Sequence, residues 1–323
     1  MALKQLDNSN ISKHLGKSSE YACHYDPSLL VREPRQSNRK HIKIKDDALP
    51  FVGYDTWNGY EVTALNNNGL PFSLVVKFVY PCDSKYIVES KSLKLYFNSF
   101  SMTKLGNTHE EVLDSIIEMS ERDLSALLET DVRVMAYSNR ECLEVSTSTP
   151  VKEWNIYTSD SLRVTDEEVY QTFNQYDTLE DGYPVDDVFF TEYTETPSLL
   201  KVVNAETPQT RYHSALLRSR CRVTSQPDSG DVFIHIKGQK TVDPISLLQY
   251  IVSFRDECHF HEEICETIYK RLWDLLEPEE LCVKCLYARR GSWDINPERA
   301  SESRLLHINL SDHNIAHVKL PRQ

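Results

Sequence analysis

Strand-like alternation and helical spacing follow one another twice along this chain. Trp57-Asn-Gly-Tyr-Glu-Val-Thr-Ala64 alternates with period two, Asn67-Asn68-Gly69 supplies a hairpin-type turn, and Phe72-Ser-Leu-Val-Val-Lys-Phe-Val-Tyr80 reads as the returning strand. Thr108-His109-Glu110-Glu111 has capping-box spacing, and Val112, Leu113, Ile116, Ile117, Leu124, Leu127 and Leu128 keep near-helical spacing, which predicts a helix to about Glu129. Val132-Arg-Val-Met-Ala-Tyr137 resumes the strand pattern. The second half repeats the order. Residues 199–203, 213–217 and 232–237 read as strands, Asp243-Pro244 caps a helix through Ile245, Leu248, Ile251 and Val252, and Phe260, Ile264, Ile268 and Leu272 mark a second helix. Strands are expected again at residues 281–287 and 305–308. Each half should therefore be antiparallel strands with one or two helices laid across them, an α+β arrangement. No close residue-level repeat adds to that pattern.

The remaining segments set the organisation. The first fifty residues are polar and basic in patches (Arg32, Arg35, Arg39, Lys40, Lys43, Lys45) with little periodicity, and read as an extended arm packed on the body. Residues 138–200 are rich in Thr, Ser, Asp and Glu, and Asp177 to Glu195 contains no Lys or Arg, which suits a solvated connector. The expected division is an arm (1–50), a first module (51–150), an acidic connector (151–195) and a second module (196–323).

Composition narrows the function classes. With 323 residues, 40% apolar and 26% charged, the chain is an ordinary globular protein long enough for two cores. A net charge of −13 argues against a broad nucleic-acid or anionic-membrane partner, so an anionic ligand needs a local basic pocket. The lack of a spanning apolar run or a signal-like N-terminus leads us to expect a cytoplasmic protein. Its 8 cysteines are scattered and expected to be reduced thiols.

Four segments carry candidate chemistry. Cys221 lies among Arg218, Arg220 and Arg222, whose charge would favour a thiolate, and the turn-prone Pro227-Asp228-Ser229-Gly230 offers an acid seven residues on. The pair reads as nucleophile and proton donor, although most lone cysteines are small buried hydrophobes. Glu89-Ser-Lys91-Ser-Leu-Lys94-Leu-Tyr96, at the end of a strand-like run, reads either as a site for a polar heterocycle with a phosphate or as a solvated strand. His259-Phe260-His261-Glu262 starts a helix with a stacking face, an imidazole and a carboxylate, and Arg289-Arg290-Gly291 suits the phosphates of a dinucleotide. No metal site is expected. Cys282 and Cys285 form a single C-x-x-C whose strand spacing sends the two thiols to opposite faces, although Cys258, His259 and His261 are near in sequence. Neither G-x-G-x-x-G nor a P-loop motif is present.

Together, Glu89 through Tyr96, Cys221 through Gly230, Phe260-His261-Glu262, and Arg290-Gly291 ahead of Asp294-Ile-Asn296 resemble the NADPH-dependent 7-cyano-7-deazaguanine reductases of queuosine biosynthesis. The likeness is to the long form with two tandem tunnelling-fold (T-fold) modules and runs from Leu15-Gly-Lys-Ser-Ser19 to Asn296, with residues 103–210 matching poorly. Ser229 stands where the family commonly has Trp. The resemblance implies Cys221 as covalent nucleophile and Asp228 as proton donor, with His261 beside them. It implies substrate contacts at Val88, Glu89, Ser90, Phe260, His261 and Glu262, and NADPH contacts at Ser90, Lys91, Arg290 and Gly291. It further implies a homodimer, with no direct nucleic-acid or membrane partner. Two other readings compete. A cysteine hydrolase would admit water to a similar thioimide but lacks a clear Cys/His/Asn signature here, and a T-fold protein could bind without catalysis.

Overall fold

The structure, a computed structural model, describes residues 22–138 and 175–306. The Leu15–Ser19 stretch, residues 151–174 of the expected connector and the end of the strand expected at 305–308 lie outside the described residues.

The arm forms short pieces: a 3-10 turn at Pro27–Leu29, β1 (Arg32–Pro34) and α1 (Gln36–Arg39). β2 (Val52–Leu65) and β3 (Pro71–Pro81) make the expected hairpin. Its turn is built by the Asn66 side chain, which accepts from the N–H groups of Asn68 and Leu70, and by Gly69 at φ 87°. β4 (Tyr86–Val88) pairs with β1 and leads into α2 (Ser90–Asn98). α3 (His109–Leu128) is capped by Thr108, which accepts from Glu111 N–H at 3.2 Å, and is followed by β5 (Arg133–Ser138). The second half holds β6 (Asp177–Thr178), α4 (Leu179–Gly182), a 3-10 turn at Pro197–Leu199 and β7 (Val202–Asn204). A long hairpin of β8 (Gln209–Cys221) and β9 (Pro227–Lys237) is followed by β10 (Lys240–Val242), which pairs with β7, and by α5 (Pro244–Val252), capped by Asp243. β11 (Cys258–His259), α6 (His261–Leu276), β12 (Glu280–Tyr287) and β13 (Trp293–Ala300) complete the order.

One mixed, mainly antiparallel sheet joins the halves in the order β11-β8-β9-β12-β13-β2-β3-β5, with β6 beside β8. The α+β expectation holds. β13 is the seam: it pairs with β12 on one side and along its whole length with β2 on the other, from Trp293↔Gly59 to Ala300↔Val52. A Cβ at Gly59 would lie 2.3 Å from the Trp293 ring, so that crossing requires glycine. Two apolar clusters result. One gathers α5, α6, β8, β9 and β12; the other gathers α2, α3, β2, β3 and β5, with Trp293 and Ile295 from β13.

The structure corrects several expectations. Residues 90–98, read as the end of a strand, are helix α2, because Glu89 caps them and the apolar Leu93, Tyr96 and Phe97 fall on one buried face. In the 199–203 segment only residues 202–204 become a strand, after a 3-10 turn, and Ser303–Leu305 is a 3-10 turn rather than a strand start. The arm is packed on the body as expected, with Arg35 and Arg39 as buried ion-pair members. β13 was not foreseen, since its run of polar residues and Pro297 argues against a central strand. β12 pairs only with residues beyond Pro297, from Glu298 to Ala300. Finally, small repeats do exist. Pro-Ser-Leu-Leu forms the 3-10 turns at both 27–30 and 197–200, and His-Glu-Glu starts both α3 and α6. No helix among the described residues is long and apolar enough to cross a membrane.

Candidate active site

The β8–β9 hairpin puts Cys221 and Asp228 together by register. Ser219 pairs with Asp228, so Asp228 projects on the face of Ser219, which is also the face of Cys221 two residues on. Cys221 N–H donates to the Gln226 carbonyl at 2.8 Å and Ser225 N–H to the Cys221 carbonyl at 2.9 Å, closing a turn in which Ser225 takes φ 55°. The bend therefore lies at 222–226. Pro227–Gly230, expected to be the turn, is instead the start of β9, and Asp228 is a buried strand residue. Ser229 faces the other side of the sheet, opposite Arg218, so its replacement of Trp does not alter the Asp228 face.

The same alternation corrects the electrostatics expected around Cys221. Arg218 and Arg220 project away from its face. Arg220 is paired with Asp256 at 2.6 Å, and Arg222 with Glu263 at 2.8 Å while lying 5.1 Å over the Phe260 ring. The lysine and arginine side chains that share a cavity with Cys221 are Lys91, Lys94 and Arg290.

That cavity, of about 320 Å³, opens between the start of α2, the β8–β9 turn and the start of α6. It is of ligand size. Glu89 contributes from the N-terminus of α2, where its carboxylate accepts from Lys91 N–H at 2.9 Å and Ser92 N–H at 2.6 Å. Those bonds fix the carboxylate and use the helix's own unpaired donors, leaving lone pairs on each oxygen for a ligand. Glu262 contributes from the first turn of α6, 2% exposed. Burial and the charge of Asp55 raise its pKa to about 8, against the opposing pull of Arg35 and Arg299. Tyr80 hydroxyl donates to Glu262 Oε1 at 3.5 Å.

Asp228 sits between Arg290 and His261. Arg290 bonds directly to it and also donates to Gln226 Oε1 at 2.6 Å, while His261 Nε2 lies 3.5 Å from Asp228 Oδ2. Burial would raise the Asp228 pKa, but His261 and Arg290 outweigh it and hold the carboxyl below its ordinary value. The His261 ring rests on Tyr287 with centroids 3.9 Å apart. Lys94 is pulled down to about 8, first by burial and then by Arg290, with Glu89, Asp228 and Cys221 acting the other way.

The structure thus brings Cys221, Asp228, Glu89, Ser90, Lys91, Phe260, His261, Glu262, Arg290 and Gly291 to one cavity. Val88 is not among the lining residues; it is core behind Glu89. Sequence reasoning missed Lys94, Trp57, Gln226 and His259, all of which line the cavity. Lys94 was findable: once residues 90–98 are a helix, Ser90, Lys91 and Lys94 share a face. His259 had no such signal. Burial lowers its pKa, yet its contacts with Glu257 at 3.1 Å and Glu263 at 3.3 Å prevail and push it up to about 9.

Comparisons with known proteins identify the family. Residues 21–136 match the family described as nitrile reductase, 7-cyano-7-deazaguanine-reductase N-term, and residues 227–305 match the family described as QueF-like protein. Proteins named NADPH-dependent 7-cyano-7-deazaguanine reductase resemble the chain along most of its length. That of Dechloromonas aromatica is 37% identical over 89% of this chain and 89% of its own. That of Delftia acidovorans is 37% identical over 94% and 98%, and that of Legionella pneumophila 35% identical over 89% and 89%. Identity of this degree over nearly the full length establishes that the chain belongs to the 7-cyano-7-deazaguanine reductase family.

Proposed function

We propose that the protein reduces the nitrile of 7-cyano-7-deazaguanine to an aminomethyl group, consuming two NADPH per turnover, as a step in tRNA queuosine biosynthesis. One observation carries the reading beyond kinship: Cys221 and Asp228 occupy one face of a hairpin and open into the cavity that also holds Glu89 and Glu262. Two carboxylates suit the ring and exocyclic N–H donors of a deazaguanine, with Phe260 and Trp57 as apolar walls. Val88 would contribute through its main chain, held by pairing with Arg32.

The chemistry follows from these residues. The Cys221 thiolate adds to the nitrile carbon, one C–N π bond becomes an N–H bond with the proton of Asp228, and a thioimide results. Bound NADPH would supply the two hydrides that the four-electron reduction needs, with protons completing the amine and the Cys221 sulfur released as the leaving group between them. Lys91, Lys94, Arg290 and the tight Gly291 turn at φ 57° form a basic cradle suited to its phosphates, with a Cβ at Gly291 only 3.4 Å from the Lys94 chain. Arg290 cannot hold a phosphate and Asp228 equally well. Drawing Arg290 away would remove one of the two groups that hold the Asp228 pKa down and leave His261 as the other, so burial would act on the acid less opposed.

The repeated order of two long strands, two helices and returning strand, with His-Glu-Glu starting a helix in both, supports two T-fold modules at 51–150 and 196–323. The arm at 1–50 and the connector at 151–195 are kept in this division. A cytoplasmic homodimer is the form expected of such an enzyme. Intact-mass measurement with 7-cyano-7-deazaguanine and no NADPH tests the central claim. An adduct should appear on the wild type and be absent from Cys221→Ala; its survival in that variant moves the nucleophile elsewhere.

A further inference from the structure

Beneath the cavity lies a buried ionic group that the chemistry above does not use. Arg39 and Arg299 both bond to Glu266, at 2.8 and 2.9 Å, and Arg299 also reaches Asp55 at 2.8 Å. Arg35 bonds to Asp55 and lies 3.6 Å from Glu266. Tyr80 stands between this group and the cavity. It pairs with Asp55 across β2 and β3, carries the Arg35 guanidinium 5.5 Å over its ring, and is 1% exposed. It does not line the cavity, yet its hydroxyl reaches Oε1 of Glu262, which does.

We propose that Tyr80 is a positioning residue for substrate recognition, its buried hydroxyl holding Oε1 of Glu262 so that Oε2 is left for the ring donors of the substrate. The inference rests on the functional reading above, in which Glu262 meets the deazaguanine ring. A carboxylate with one oxygen tied has fewer orientations to lose when the ligand arrives. The hydroxyl also donates to the charged form of Glu262, so its removal should make that charge harder to form. The groups that face Glu262 from the packed elements are Asp55 of β2, Arg35 of the arm, Arg299 of β13 and Tyr287 of β12, and of these Arg35 and Asp55 also interact with Tyr80.

The experiment uses the full chain carrying Tyr80→Phe, which keeps the stacked ring against Phe78. Steady-state kinetics from pH 6 to 9.5 should show the KM for 7-cyano-7-deazaguanine raised about three- to ten-fold, the scale of one neutral hydrogen bond. The KM for NADPH should hold, kcat should change less than about twofold, and the acid limb of kcat/KM should move to higher pH. In a Glu262→Gln background the same substitution should add almost nothing, because both act through one carboxyl. An unmoved nitrile KM and acid limb overturn the proposal, as does a parallel loss of kcat and both KM values, or full additivity in the Gln background. Wild-type enzyme that binds the nitrile by calorimetry without turning it over defeats the functional reading instead, and the same calorimetry on Tyr80→Phe still decides the role of Tyr80.

Discussion

α3 and α6 open with the same three residues, His-Glu-Glu, and only α6 opens into a cavity with chemistry. At α3 the His109 ring rests against Phe72 at 5.1 Å, Glu110 and Glu111 are exposed, and Asp114 one turn on is exposed as well. At α6 the His261 ring rests against Tyr287, Glu262 and Glu263 are buried, and Glu266 one turn on is enclosed by three arginines. Helix geometry and dipole are alike at the two starts. The difference is what covers them. The arm and the first hairpin lay Arg35, Arg39, Asp55 and Tyr80 against α6, and Tyr269 of that helix bonds back to the Pro50 carbonyl at 2.9 Å. At the start of α3, Glu110, Glu111 and Asp114 are exposed to solvent. Identical residues acquire a function only where the other half of the chain removes their water.

The largest consequence should appear one turn into each helix. Burial would raise the Glu266 pKa, but Arg299, Arg39 and Arg35 outweigh it and bring it to about 2. Glu266→Gln leaves buried guanidiniums uncompensated and should destabilise by about 3 to 5 kcal/mol. Asp114→Asn, at the matching exposed place, should stay within about 0.5 kcal/mol. Urea unfolding of both variants checks the contrast, and a small effect at Glu266 dissolves it. Because the folded pKa is depressed, this stability is present above the unfolded pKa of about 4.3 and lost as pH falls toward 2.

A second contrast concerns recognition. Glu262→Ala should weaken 7-cyano-7-deazaguanine binding by about 2 to 3 kcal/mol, roughly 30- to 150-fold, by leaving buried ring donors unpaired. Glu110→Ala should change nothing measurable by calorimetry. Since the Glu262 pKa stands near 8, wild-type affinity should rise between pH 6 and 8 as the carboxylate forms, and the Ala variant should lose that slope. Equal affinity in the two Ala variants would remove Glu262 from the site.

These contrasts mark how far the sequence could be read. Period-3.6 patterns located α3, α5 and α6, and strand-like runs located the first hairpin and the inner parts of β8 and β9. Motif resemblance singled out Cys221, Asp228, Glu89 and Glu262, and the structure brings those four to one cavity. What escaped notice depended on long-range pairing. β13 looked unlike a strand because its Asp294, Asn296, Glu298 and Arg299 are buried polar residues whose partners lie far away in the chain. The charges around Cys221 were misjudged because neighbours in sequence alternate across a sheet. The ion pairs of Arg35 and Arg39 were not foreseen, because Asp55 and Glu266 are distant in sequence.

The smallest effect sharpens the comparison at the histidines. His261 has beyond its ring what the described residues do not place at His109, a carboxylate carrying its own guanidinium. Arg290→Ala should raise the KM for NADPH by about 10- to 100-fold, the loss of a charge-assisted contact, and make it less sensitive to salt. Adduct formation at Cys221 without NADPH should persist, because Asp228 remains and, without Arg290, burial acts on it less opposed. The sign on stability follows from the same pair. Asp228 has a depressed folded pKa, so its contribution is present above the unfolded value of about 3.9 and is lost as pH falls through the folded value. Arg290→Ala gives up part of that contribution and should therefore lose less stability than wild type on acidification below pH 4. Steady-state titration with NADPH, intact-mass adduct measurement and acid unfolding read the three effects separately. An unaltered NADPH KM takes Arg290 out of the cofactor site, whereas loss of the adduct makes it a partner of Asp228 in the addition itself.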